Sequence, residues 1–147
     1  LDDDASAWRV MLHVDQDALK FTSLKLEYGQ MDNNFVRLSD TIPYSGYDPS
    51  GTDIIDGRPL NNNTTKIYGA RADQQWNDKW RTYLRYFQAD YDTRGLDDAS
   101  NWTVGIGYRL NPAVEFELAY DYTDFGNNAY VGWEDDYAVR FRTFVTF

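Results

Sequence analysis

One histidine, His13, and no cysteine leave this 147-residue chain little from which to build a nucleophile–base pair, a thiol centre or a histidine-rich metal site. His13 lies in a regularly alternating stretch beside Arg9 and Asp15, and Ser6 and Ser23 stand at positions without a catalytic pattern. Glu115 and Glu117 have the residue types of a glycosidase pair, but carboxylates two residues apart are what strict alternation puts on one face of a strand. Gly105 and Gly107 fall inside a strand pattern, so they form no phosphate-binding loop. The run Asp48-Pro-Ser-Gly-Thr-Asp53 offers oxygen ligands around a glycine, yet it lacks the alternating ligands and final Glu of a calcium loop. No enzymatic activity, cofactor or specific metal site is expected.

The residues that do recur in a pattern are charged. Arg9, Lys25, Arg71, Arg81, Arg85, Arg109, Arg140 and Arg142 supply eight cations to one side of alternating segments, and Glu27, Asp73, Glu115, Glu117 and Asp121 supply five anions to the same side. This surface is net positive although the chain carries 14 Lys+Arg against 24 Asp+Glu, a formal charge of −10. The surplus of acid therefore lies in turns and loops, and the acidic whole argues against nucleic acid as a partner. A water-facing wall of this composition would set a potential favouring anions. Arg–Glu pairs closing across neighbouring strands would instead fill a narrow lumen and only stabilise it.

The elements that must position these charges are strands. Seven segments alternate with period two: 7–15, 20–30, 65–75, 79–90, 101–110, 113–123 and 137–147. Their lengths approach the roughly 9–11 residues of a tilted membrane strand and exceed the soluble mode of about 5–6. Aromatics make up 17% of the chain, with 12 Tyr and 5 Trp, which excludes an acidic disordered chain. The sequence also lacks the run of about 20 apolar residues that a membrane helix needs.

Tight turns are expected at 15–18, 75–78 and 110–113, and long polar connections at about 31–64, 90–101 and 124–136. Short turns at one end and long loops at the other are the pattern of an outer-membrane barrel. The fold expected is all-β: an antiparallel transmembrane β-barrel, of which 1–147 supplies about seven C-terminal strands of a larger whole of roughly 14 or more. The 31–64 loop is expected to fold into the pore or to pack over its rim.

The apolar set of each segment forms the expected lipid face. Trp8, Tyr28, Tyr86, Trp102, Tyr120, Tyr122 and Tyr137 fall toward the long-loop ends, and Trp76, Trp80, Tyr108 and Phe147 toward the short-turn ends. Two such bands are aromatic girdles at headgroup depth.

The chain ends Arg140-Phe-Arg-Thr-Phe-Val-Thr-Phe147, which resembles the C-terminal strand of Gram-negative outer-membrane proteins. In those families this segment is the signal read by the barrel-assembly machinery, so the resemblance implies that role for Phe141, Val145 and Phe147. The stretch Trp102–Tyr122 looks like the penultimate hairpin of large general or anion-type porins. Leu19–Phe35 is similar, more narrowly, to porins carrying an S-layer-homology domain, found in diderm Firmicutes and Deinococcus-type bacteria. Such porins join a periplasmic cell-wall-binding domain to a C-terminal barrel.

These resemblances imply a multi-pass bacterial outer-membrane location and contact with lipid and lipopolysaccharide. The acids Asp2–Asp4, Asp97, Asp98 and Glu134–Asp136 could meet lipopolysaccharide phosphates through shared divalent cations. Porins often form homotrimers through the outer wall, although nothing on this outer face separates a protein contact from lipid. The function expected is passive diffusion of small hydrophilic solutes and ions with a weak anion preference. The alternatives are a structural, tethering or adhesive barrel with a plugged lumen, and a soluble carbohydrate-binding β domain.

Overall fold

Period-two alternation without internal proline leaves the backbone free to pair along its whole length, and each of the seven segments is a strand. The computed structural model describes residues 6–31, 65–91, 97–126 and 135–147. The strands are β1 (Ala7–Val14), β2 (Ser23–Met31), β3 (Thr65–Gln75), β4 (Trp80–Tyr91), β5 (Ala99–Asn111), β6 (Val114–Asp124) and β7 (Asp136–Val145). They pair antiparallel in sequence order in one seven-stranded sheet, with β1 and β7 at its two edges. The long connection expected at 31–64, its Asp48–Asp53 run, the acids Asp2–Asp4 and Glu134 lie outside the described residues, apart from Met31 at the end of β2.

Several boundaries differ from the sequence expectation. In place of a tight turn at 15–18, one turn of helix, α1 (Gln16–Leu19), leads out of β1 and ends at Lys20 with φ 63. A left-handed residue there closes the turn with a hydrogen bond from the Lys20 amide to the Gln16 carbonyl. It delays the start of β2 from the expected 20 to Ser23. β5 is longer than the alternation of 101–110 suggested, because pairing with both neighbours carries it from Ala99 to Asn111. β7 stops at Val145, so Phe141 and Val145 are strand residues while Phe147 lies beyond the ladder and is exposed.

The short connections are knitted by side chains that mimic backbone. The Asn77 side-chain oxygen accepts from the amides of Lys79 (2.9 Å) and Trp80 (3.0 Å), and Asn111 does the same for Ala113 (2.9 Å). Gln16 donates to the Gln75 carbonyl at 3.0 Å and accepts from its amide at 2.9 Å, tying the first turn to the end of β3. Past β7, the Thr146 amide reaches the Ala113 carbonyl at 2.9 Å.

The two faces are inverted relative to a water-soluble sheet. Along β5, Asn101, Thr103, Gly105 and Gly107 are buried while Trp102, Val104 and Ile106 are exposed, and β6 repeats this with Glu117, Ala119 and Asp121 against Leu118 and Tyr120. No second layer packs on either face among the described elements. The sheet curls toward its polar side. Side chains of β3 and β7, which a flat sheet would hold about 19 Å apart, line one cavity there.

Candidate functional site

The concave face is built by registry. Row by row across the sheet, Lys25 stands opposite Arg71, Arg71 opposite Arg85, Arg85 opposite Thr103 and Thr103 opposite Asp121. One row nearer the short turns are Asp73, Tyr83, Gly105, Ala119 and Arg140; in the next are Gln75, Arg81, Gly107, Glu117 and Arg142. Large side chains of β4 thus face glycines of the neighbouring strands and lie flat across them. A Cβ on Gly105 would sit 2.3 Å from the Tyr83 ring, one on Gly69 2.3 Å from the Phe87 ring, and one on Gly107 2.7 Å from Arg81 Nε.

Two charge clusters lie on this floor. In the first, Glu117, only 4% exposed, accepts from Arg81 at 2.8 Å, from the Tyr83 hydroxyl at 3.2 Å and from Arg142. Arg81 also donates to Glu115 at 2.6 Å, and Arg109 approaches Glu115 at 3.8 Å. In the second, Asp121 receives Arg140 Nη2 at 2.7 Å and the Thr103 hydroxyl at 2.7 Å. Arg85 donates to Thr103 at 2.8 Å and Asn101 at 3.3 Å, with Asp121 3.8 Å away. Multiple donors on each carboxylate are what makes burying it tolerable, since an unpaired buried charge costs several kcal/mol.

Guanidinium planes also stack on rings. Arg71 and Arg81 lie over Tyr83 at 4.8 and 5.7 Å, Arg85 over Phe87 at 5.4 Å, and Arg142 over Phe144 at 5.5 Å. Between them opens a cavity of about 320 Å³, walled by arginines of β3, β4 and β7 and by Glu115 and Glu117.

All ten candidate lining residues share this face, but not in one state. Arg81, Glu115, Glu117 and Arg142 come together in a single cluster, with Arg109 at its margin. Arg140 belongs to the Asp121 cluster, and Arg85 is buried beside it. Arg71 is clamped by Asp73 at 2.6 and 2.7 Å, and Arg9 approaches Glu27 at 3.5 Å. Lys25 is exposed. Sequence reasoning missed the parts played by Tyr83, Asn101 and Thr103, which no charge marked; their parity along the strands was the signal available. Phe144, apolar at the same parity as Arg140 and Arg142, is a cavity wall. His13 sits 3.4 Å from Asp15 with both side chains largely exposed, and no group of three candidate metal ligands occurs among the described residues.

The convex face carries the expected aromatic residues in rows. Tyr86, Trp102, Tyr122 and Tyr137 are successive cross-strand neighbours, and Tyr28 pairs with Tyr68 while its ring meets Trp8 at 5.1 Å. Nearer the short turns run Trp80, Tyr108 and Phe116, with Trp76 donating to the Thr82 hydroxyl at 2.9 Å. Between these rows lie Leu84, Val104, Tyr120 and Val139, then Ile106, Leu118 and Phe141. Tyr120, expected in a girdle, falls inside this central band, stacked on Tyr137 at 6.5 Å. No family model, curated protein or solved structure matches this chain.

Proposed function

We propose that this sheet is a wall section of a transmembrane β-barrel through which small hydrophilic solutes and ions diffuse passively across a bacterial outer membrane, with a weak preference for anions. The observation that carries the proposal is the inversion of the two faces. A continuous convex apolar band faces outward between two aromatic rows, while the charges are gathered on the concave side. Leaving such a band in water forfeits roughly 25 cal/mol for every Å² that lipid would cover. Trp102 and Tyr108 are separated by about 20 Å of strand at roughly 3.4 Å per residue, which suits a tilted strand in a thin hydrocarbon layer.

Strand direction sets what closure of the proposed barrel would need. β1 and β7 are both odd-numbered in an all-antiparallel order and so run the same way. Pairing these edges directly would make one parallel ladder; an odd number of further strands keeps every ladder antiparallel and the total even. With roughly 14 strands the lumen holds water, whereas eight leave room mainly for side chains.

The side-chain mat formed by Arg81, Glu115, Glu117 and Arg142 favours a second reading, a structural barrel whose lumen is filled. Conductance of the full native protein in planar bilayers separates the two. Stable channels with an anion-shifted reversal potential support diffusion; confirmed insertion without conductance gives the case to the filled barrel.

A further inference from the structure

We propose that the cavity of the concave face is a binding subsite for pyranose sugars, which makes saccharides the preferred class among the hydrophilic solutes that diffuse past it. This rests on the concave face being the wall of a lumen. The observation behind it is a mixture of chemistries in one small space. Phe144 is apolar and 37% exposed, yet it lines a cavity whose other walls are arginine, glutamate and tyrosine. Register places it directly opposite Glu115, at a cross-strand distance of about 5 Å.

Beside the ring, hydrogen-bonding capacity remains after the charges are paired. Arg71 gives Nε and Nη2 to Asp73, and Arg81 gives the same two nitrogens to Glu115 and Glu117. A guanidinium group carries N–H donors on all three nitrogens, so both arginines keep an Nη1 edge that makes no hydrogen bond among the described residues. The two groups share the Tyr83 ring, at 4.8 and 5.7 Å, which puts these donors in one patch. Glu115 accepts from Arg81 through Oε1, while Arg109 stands 3.8 Å from its Oε2.

This set of partners selects by shape and hydroxyl pattern. Donors and an acceptor beside an apolar ring suit a ligand with hydroxyls at its edge and a C–H face, and a pyranose has both. Each hydroxyl donates and accepts, so it can give to Glu115 and take from Arg71 or Arg81 without displacing their ion pairs. The cavity of about 320 Å³ is of a size found among small-molecule pockets. At about 30 Å³ per water it equals about ten waters, room for one six-membered ring and part of its hydration shell. An acyclic polyol offers similar hydroxyls but no rigid apolar face to lay on Phe144.

The test is potassium chloride current through the full native protein in planar bilayers, titrated with glucose and, separately, with mannitol. Both solutes lower the current through bulk viscosity; glucose alone is expected to add a saturable fall. Phe144→Ala should raise the half-saturating glucose concentration roughly fivefold, the order of one lost ring contact, and Phe144→Trp should restore it. Phe144→Leu, which keeps a bulky apolar side chain for assembly but has no ring, should show the same loss as alanine. Lys79→Gln, in the β3–β4 turn, should leave the response unchanged. Equal effects of glucose and mannitol, or a native glucose response in Phe144→Leu, overturn the proposal while leaving the channel intact. Insertion without current overturns the lumen reading and this proposal together.

Discussion

Glycine and carboxylate do opposite jobs at the residue scale. Gly105 makes room: the Tyr83 ring lies across it, held by its hydroxyl bond to Glu117 and by Arg71 stacked above. Gly105→Ala must therefore swing that ring and break the bond. It should cost roughly 1–3 kcal/mol in urea unfolding from lipid or detergent. A Tyr83→Ala background should remove most of the penalty, and a double-mutant cycle without coupling would refute the contact. Glu117 gathers charge, accepting from two guanidinium groups and one hydroxyl. Glu117→Gln keeps the shape and deletes the counter-ion, so Arg81 and Arg142, both partly screened by solvent, lose a partner. A loss of about 2 kcal/mol or more is expected in the same assay, against no measurable change for Lys25→Gln.

The β5–β6 hairpin shows the logic of an element. A two-residue connection, capped by the Asn111 side chain, joins strands that show the same alternation of buried polar and exposed apolar residues, and the register shifts between Arg109 and Asn111 where they meet. Because side-chain direction has period two, one choice of register sends Trp102, Val104, Ile106, Leu118 and Tyr120 outward together. That makes the surrounding medium testable by one substitution. Leu118 is 49% exposed in the middle of the band. Leu118→Arg should change stability by less than about 0.5 kcal/mol if water bathes this face, and should cost roughly 2–4 kcal/mol if the bilayer midplane does. Unfolding titrations in lipid vesicles distinguish these values directly.

For the molecule as a whole, the sheet is sided in two directions at once. Across its thickness, charge is separated from apolar surface; along the strands, the tightly bonded short turns are separated from the longer connections. The absence of cysteine from the chain permits clean accessibility mapping. Single cysteines at Lys25 and at Val104 should partition by face: the first should react with a charged thiol reagent after insertion, and the second should be shielded from it. Reaction of both sites would contradict the lumen assignment, because Val104 would then face water. β1 and β7 are the edges of the sheet among the described residues, and their common direction is why the proposed closure calls for additional strands.

The sequence alone determined which residues share a face, because alternation along a paired strand is local and survives any error in the strand's ends. It placed the charged residues and the aromatic rings on opposite faces, and it put the expected turn at 110–113 within a residue or two of the observed one. Tertiary structure decided what the charges do to one another. Whether Arg81 meets Glu115 or Glu117, or whether Arg85 is held by Thr103 and Asn101, depends on registry between strands and on curvature, and neither has a signature in a single strand. The same holds for Tyr83 and Phe87, whose rings cover glycines far away in sequence. The helical turn at Gln16–Leu19 also escaped the alternation pattern, since its reciprocal bonds with Gln75 depend on β3 arriving beside it. Local pattern fixes orientation; only long-range pairing sets neighbours, and the potential over the concave face is a property of neighbours.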